Sequence, residues 1–122
     1  MAVTHTTTLR TAIAEAVRSA ANTGGTPTLT ILTSGDALLV TISLAAFGAA
    51  ASGSTTSASS GNNGTAGATG TANYARINRN DGTEQFRGAV GVGTGEVQIS
   101  STSIANGDTV TLTSNVVYTA PT

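Results

Sequence analysis

One stretch limits what this chain can become. Asn73 to Gly91 reads Asn-Tyr-Ala-Arg-Ile-Asn-Arg-Asn-Asp-Gly-Thr-Glu-Gln-Phe-Arg-Gly-Ala-Val-Gly, with Asp81-Gly82 between two runs of strand-like alternation. A tight primed turn needs positive φ, which Asp-Gly supplies cheaply, so the stretch predicts a β-hairpin. With Asp81 and Gly82 as the two turn residues, partners count outward from them. Asn80 then faces Thr83, Arg79 faces Glu84, Asn78 faces Gln85 and Ile77 faces Phe86. Ile77 with Phe86 and Arg79 with Glu84 are favourable pairs, each worth roughly 0.2–1 kcal/mol. A register one residue out would set Phe86 against Arg76 and scatter the apolar side chains over both faces.

The same register places Arg76 opposite Arg87, beside Tyr74, and like charges so paired destabilise a ladder. Two readings account for them. Either both guanidinium groups splay into solvent with their stems along the sheet, or this face meets a carboxylate-bearing neighbour chain, since Arg and Tyr are enriched at interfaces. Tyr74, Arg76 and Arg87 are therefore candidate interface residues.

The 122 residues allow one domain with a real core, spanning 1–122, and are too few for two of ordinary size. Only 9% are charged and 3% aromatic, against about 25% charged residues in an ordinary soluble domain. Such a surface suits contact with other protein. A net charge of −1 without a basic cluster leaves no electrostatic footprint for nucleic acid. Cysteine is absent, which excludes disulfides and thiolate metal sites. No basic stretch leads into an apolar one at the N-terminus and no run approaches ~20 apolar residues, so neither a secretory signal nor a membrane span is expected. Without a secretory route, the sequon Asn63-Gly64-Thr65 is a coincidence of composition.

Along the chain, residues 1–8 read as an extended arm and Thr8 as the N-cap of a helix over 9–21. Leu9, Ile13, Val17 and Ala20 share one helical face, which must dock on a sheet or on a neighbouring subunit. Leu9, Ile13 and Val17 join the candidate interface residues on that account. Asn22-Thr-Gly-Gly25 stops the helix. Pro27–Thr33 alternates as a strand. Ala37–Leu44 is more continuously apolar, as a central strand covered on both faces would be, with a helix over Ala37–Ala51 the competing reading. Gly48 to Gly70 is almost wholly Gly, Ala, Ser, Thr and Asn, which reads as a mobile linker. The rival reading makes Ser54–Ser60 a strand of small residues, followed by a long loop around 61–67. Beyond the hairpin come a turn at Gly91–Gly95, a strand over Glu96–Ser100, and alternation through Thr109–Thr119 broken by a bulge or bend at Ser114-Asn115. The whole predicts a mainly β fold: an antiparallel sandwich or barrel of roughly six to eight short strands in 27–119, with one N-terminal α-helix.

The titratable inventory is thin. His5, the single histidine, lies in a Thr-rich arm and reads as solvent-exposed rather than as a ligand or base. Asp81, Glu84, Glu96 and Asp108 lack calcium-loop spacing, and no Cys/His spacing exists, so no metal site is expected. Gly91-Val-Gly-Thr-Gly95 has neither the following helix nor the lysine of a phosphate-cradling loop. Serines need a positioned base to act as nucleophiles. No catalytic residue, cofactor or enzymatic activity is expected.

Three stretches carry a resemblance: Thr69-Gly-Thr-Ala-Asn-Tyr-Ala-Arg-Ile-Asn-Arg-Asn-Asp-Gly-Thr83, Gly88-Ala-Val-Gly-Val-Gly-Thr-Gly95, and Ile99 through Ile104-Ala-Asn-Gly-Asp-Thr-Val-Thr-Leu-Thr-Ser114. With Ala45-Ala-Phe-Gly-Ala-Ala50, they resemble a family of small tailed-bacteriophage virion structural proteins. The acidic or proline residues often found at that mid-chain motif are absent here. The resemblance implies a virion component without an established catalytic role, made in the host cytoplasm. Its most concrete form is a capsid decoration or cement protein, a homo-oligomer with a trimer favoured, bridging subunits of the major capsid protein on the head surface. A tail or connector component (tube, terminator or fibre-associated domain) is the alternative. A carbohydrate-binding module is a third, weakened because sugar-stacking platforms use Trp or Tyr and only Tyr74 and Tyr118 are present.

Overall fold

The alternation of Leu29 and Ile31 with threonines makes β1 (Thr28–Leu32) a two-faced strand, and its neighbours repeat the pattern. In the computed structural model, which describes residues 3–121, β1 lies between β2 (Leu38–Ser43) and β6 (Tyr74–Asn78). β7 (Glu84–Gly91) follows β6, and β8 (Val97–Gln98) closes the five-stranded sheet in the order β2-β1-β6-β7-β8. Register aligns the apolar positions into two rows across four strands: Ile42–Leu29–Ile77–Phe86, and Val40–Ile31–Ala75–Gly88. Leu29, Ile31, Ile42 and Ala75 are fully buried there, so the inner face of the sheet is the floor of the core. The outer face carries Thr41–Thr30–Arg76–Arg87 and Leu32–Tyr74–Ala89.

Short ladders complete the molecule. β3 (Ser54–Ser57) pairs with β11 (Val116–Thr119), β4 (Asn63–Thr65) with β10 (Thr109–Thr111), and β5 (Gly70–Thr71) with β9 (Ser103–Ile104). Ile104, Val110 and Val116 from these ladders join Val97 of β8 and the bridged pair Ile99 and Leu112 in one buried core with the inner face of the sheet. The fold is thus mainly β with one N-terminal helix, as the sequence predicts. Its strands number eleven among the described residues, more than the expected six to eight, because several ladders last only two or three residues. Val110 and Val116 belong to separate strands. At Ser114-Asn115 the chain bends and exchanges β4 for β3 as its partner.

The hairpin differs from its expected form in a way that physics explains. Arg79 N–H donates to Thr83 O (2.9 Å) and Gly82 N–H to Arg79 O (2.9 Å), so the loop has three residues, Asn80-Asp81-Gly82. Gly82 alone takes positive φ (+90°), while the Asp81 carboxylate accepts the Thr83 N–H (2.9 Å). This is the three-residue loop with glycine in the left-handed position. It sets Asn78 against Glu84, where Gln85 was expected, and a bulge then restores Ile77 opposite Phe86 and Arg76 opposite Arg87.

Helix α1 (Thr7–Ala21) starts earlier than expected, with Thr6 as N-cap accepting the Leu9 N–H (3.2 Å). Of the expected arm, Thr7 and Thr8 are helical, while Met1 and Ala2 lie outside the described residues, as does Thr122 at the other end. The docked face is also different. Arg10, Ala14, Arg18 and Ala21 repeat the four, four, three spacing of Leu9, Ile13, Val17 and Ala20 one residue later, so the helix is turned by roughly 100°. Ala14 and Ala21 are fully buried, whereas Leu9 is 48% exposed and Ile13 and Val17 are half-buried. Polar side chains decide the outcome, because the irregular backbone beneath the helix needs partners. Arg10 donates to Ala120 O, Arg18 and Asn22 to Phe47 O, while Thr11 accepts from Gly53 N–H and Glu15 from Ala50 N–H.

Gly48 to Gly70 is ordered rather than a linker. Thr55, Ser57 and Ser59 are buried, and their hydroxyls satisfy the backbone of Ala45 to Gly48: Thr55 donates to Gly48 O (2.7 Å), Ser57 to Ala45 O (2.7 Å), and Ser59 accepts from Ala45 N–H (3.0 Å). Residues 61–67, expected as a loop, contain β4 and lie along β2. Gly67 N–H donates to Leu39 O (2.9 Å) and the Asn62 amide to Ser43 O (2.9 Å). β2 is therefore the last strand of its sheet, not a central one, and the small residues cover its otherwise open edge. A Cβ on Gly64 would stand 2.3 Å from Thr41 O, so only glycine permits this approach.

Candidate functional site

The outer face of the five-stranded sheet gathers the largest cluster of charged side chains. Tyr74, Arg76 and Arg87 converge there, as expected, and two residues join them that were not assigned to the site. The two-residue turn predicts Glu84 opposite Arg79. The bulge at Gln85 instead brings it onto the face of Arg76 and Arg87, since an uninterrupted strand would put residues three apart on opposite faces. Its carboxylate holds Arg87 through two contacts (Nε–Oε2 2.6 Å, Nη2–Oε1 3.2 Å) and lies 3.2 Å from Arg76 Nε. The paired arginines are thus compensated from within the chain, neither splaying freely nor needing a neighbour's carboxylate for charge balance.

Asp36 is the second addition. It sits in the turn after β1 at φ +68°, a left-handed conformation that aspartate adopts more readily than most residues. There its carboxylate accepts the Tyr74 hydroxyl hydrogen bond, and Arg76 Nη2 donates to the same hydroxyl oxygen at 3.2 Å. The Tyr74 ring has Arg87 Cζ 5.2 Å and Arg76 Cζ 5.8 Å from its centroid, within reach of a cation–π attraction. The hydrogen bonds from Arg87, helped by the nearby charges of Arg87 and Arg76, hold the Glu84 carboxyl below its ordinary value. The same contact raises Arg87. Two cations and two carboxylates on one face leave it formally balanced. A trough of about 420 Å³ beside it is lined by Thr28, Thr30, Leu38, Thr41 and Asn78 as well as Arg76 and Glu84.

Leu9, Ile13 and Val17 are not part of this cluster. They lie on the helix, where Ile13 and Val17 line a groove of about 380 Å³ with Ala16, Ala20, Phe86 and Tyr118. The six candidate interface residues therefore form two surfaces. Phe86 links the second to the core through tilted contacts with Phe47 (6.1 Å) and Tyr118 (5.3 Å).

His5, expected in solvent, is half-buried, with Nδ1 enclosed and without a hydrogen-bond partner among the described residues. Among the described residues no group of three or more His, Asp or Glu side chains could hold a metal ion, and no helix is long and apolar enough to cross a membrane. Gly91–Gly95 forms a compact loop that returns the chain alongside β7. A Cβ on Gly91 would stand 2.7 Å from Thr94 O, and one on Gly95 2.7 Å from Ala89 O. That tight packing lets β8 run parallel to β7 after only five intervening residues. No protein-family model, curated protein or solved structure matches the chain.

Proposed function

We propose that this chain is a structural component of a bacteriophage virion, in its most concrete form a capsid decoration protein that stabilises the head by bridging major-capsid subunits. The observation that carries the structural role is the use made of charge. All five arginines and all six carboxylates are engaged within the chain. Arg10 holds Ala120 O; Arg18 pairs with Glu15, Arg79 with Asp81, and Arg76 and Arg87 with Glu84. Asp36 takes the Tyr74 hydroxyl, Glu96 the Ala89 N–H and Asp108 the Ala105 N–H. Charge here fixes backbone and loops, and the remaining surface is hydroxyl, amide and exposed apolar side chains such as Leu9, Leu38, Val92 and Val117.

Such a surface favours broad adhesion. Each contact adds buried area only in the assembled shell, so binding shifts the equilibrium towards intact particles by mass action. The resemblance of residues 69–114 to tailed-phage virion proteins supports the virion as the place, and Tyr74, Arg76 and Arg87 with the helix stripe supply two faces for neighbours, including further copies in a trimer. Particles assembled without the chain test this. Heads that rupture at lower temperature and regain resistance when the purified chain is added are expected. Heads of unchanged resistance, or particles lacking only tails, would overturn the head assignment.

A further inference from the structure

Among the described residues, the outer edge of β11 and the part of β7 that precedes its pairing with β8 have no strand partner, and both face one cleft. On β11 the Ala120 N–H donates to Gly53 O (2.8 Å), so alternation turns the N–H and C=O groups of Val117 and Thr119 away from β3. On β7 the Ala89 N–H points away from β6 and is taken by the Glu96 carboxylate (3.0 Å). Two residues earlier, the backbone of Arg87 points the same way. Between these edges lies a cleft of about 410 Å³ flanked by Phe86–Gly88 and Val116–Thr119, with buried Ile77, Val97 and Val116 at its base. Backbone donors and acceptors on both sides with an apolar floor suit one kind of occupant, an extended strand.

We infer that the occupant is the N-terminal arm Val3–Thr6 of a second copy of this chain, exchanged reciprocally. The arm matches the slot in length, since the free edge of β11 runs four residues, Val116–Thr119. Val3-Thr-His-Thr6 contains no Asp, Glu, Lys or Arg, so its burial strands no fixed charge, and Arg87 and Glu96 beside the slot are already engaged. Thr6 is already extended (φ −66°, ψ 157°). The arm's seat on its own chain is poor: Val3 is 83% exposed, and His5 Nδ1 is buried without a partner among the described residues. Its departure point is also apt, because the first turns of α1 sit beside the end of β11, where Arg10 grips Ala120 O.

The absence of cysteine makes the test clean. Full chains carrying Val3→Cys are mixed with full chains carrying Val117→Cys and treated with a short bismaleimide. A product of twice the chain mass that forms in the mixture and in neither variant alone is expected. No mixture-specific product, or one in a Val3→Cys/Val117→Cys double variant that stays at single-chain mass, would show the arm in its own slot or in none and overturn the inference. Val117→Pro provides the second reading, since it removes an N–H that β3 does not use. A chain that keeps its circular dichroism but sediments as a monomer where the parent associates is expected. Unchanged association would also overturn the exchange, whatever the fate of the virion assignment.

Discussion

In the hairpin of β6 and β7, side chains hold the backbone; in Gly48 to Gly70, the lack of them does. Ile77 and Phe86 fasten the hairpin to the core from its inner face, and Glu84 ties two arginines together on its outer one. The small-residue segment has almost nothing to bury. It is held by three short hydroxyl side chains saturating carbonyls and amides, and by a glycine whose Cα approaches the β2 backbone. One region therefore fails when atoms are removed and the other when atoms are added. That difference can be attacked by substitution.

The largest effect should come from the hairpin's inner face. Ile77→Ala removes a 1% exposed side chain from the middle of an apolar row, and the lost burial plus the cavity should cost about 3–4 kcal/mol in chemical denaturation. Close behind is Gly64→Val. Its Cβ would meet Thr41 O at 2.3 Å and Val40 at 3.0 Å, so overpacking should destabilise the fold by about 2–3 kcal/mol. Gly67→Ala is the control. Nothing lies within 4 Å of its Cβ position and its φ is ordinary, so a change beyond about 0.5 kcal/mol would break the comparison. Ser57→Ala comes third. It leaves Ala45 O and the Ser59 hydroxyl short of a partner in a fully buried site, at a cost of about 1–2 kcal/mol.

The same contrast explains what could be read in the sequence. The two faces of β1 and β6 and the Arg76–Arg87 opposition follow from alternation, and the helix from the spacing of Leu9, Ile13, Val17 and Ala20, because apolar side chains recur with the period of the element that carries them. The helix's docked face did not, since alanine and backbone-binding Arg10 and Arg18 outweighed the more apolar Leu9 stripe. Residues 54–67 gave no periodic signal because Ser, Thr and Gly serve there through hydrogen bonds and smallness, properties they share with any linker. Glu84 was hidden by compensating irregularities, a loop one residue longer than expected and a bulge one residue later. Asp36 lay too far along the chain for spacing to connect it to Tyr74. The one available cue was Asp in a Ser-Gly-Asp turn, a residue type that tolerates the left-handed backbone.

The smallest expected effect sharpens the outer face. Glu84 sits in the folded chain with its pKa lowered, chiefly by the hydrogen bonds from Arg87, relative to an ordinary glutamate at 4.5. A carboxyl so shifted stabilises the fold above its unfolded pKa, and that contribution disappears as pH falls through the folded one. Glu15, held by Arg18, and Asp81, held by the Thr83 N–H, act in the same direction. Stability should therefore be level between neutral pH and the carboxylate range and decline below about pH 4.5, where the unfolded chain binds protons first. Glu84→Gln should lower stability at neutral pH by about 0.5 kcal/mol, since Glu84 and Arg76 are a third exposed, Arg87 is about half exposed, and the contacts are screened by salt. It should also flatten the acid limb without moving the level region. If the variant instead loses as much as Ser57→Ala, then leaving Arg76 and Arg87 uncompensated is the dominant penalty. The outer face would then be held by charge balance rather than by the ladder beneath it.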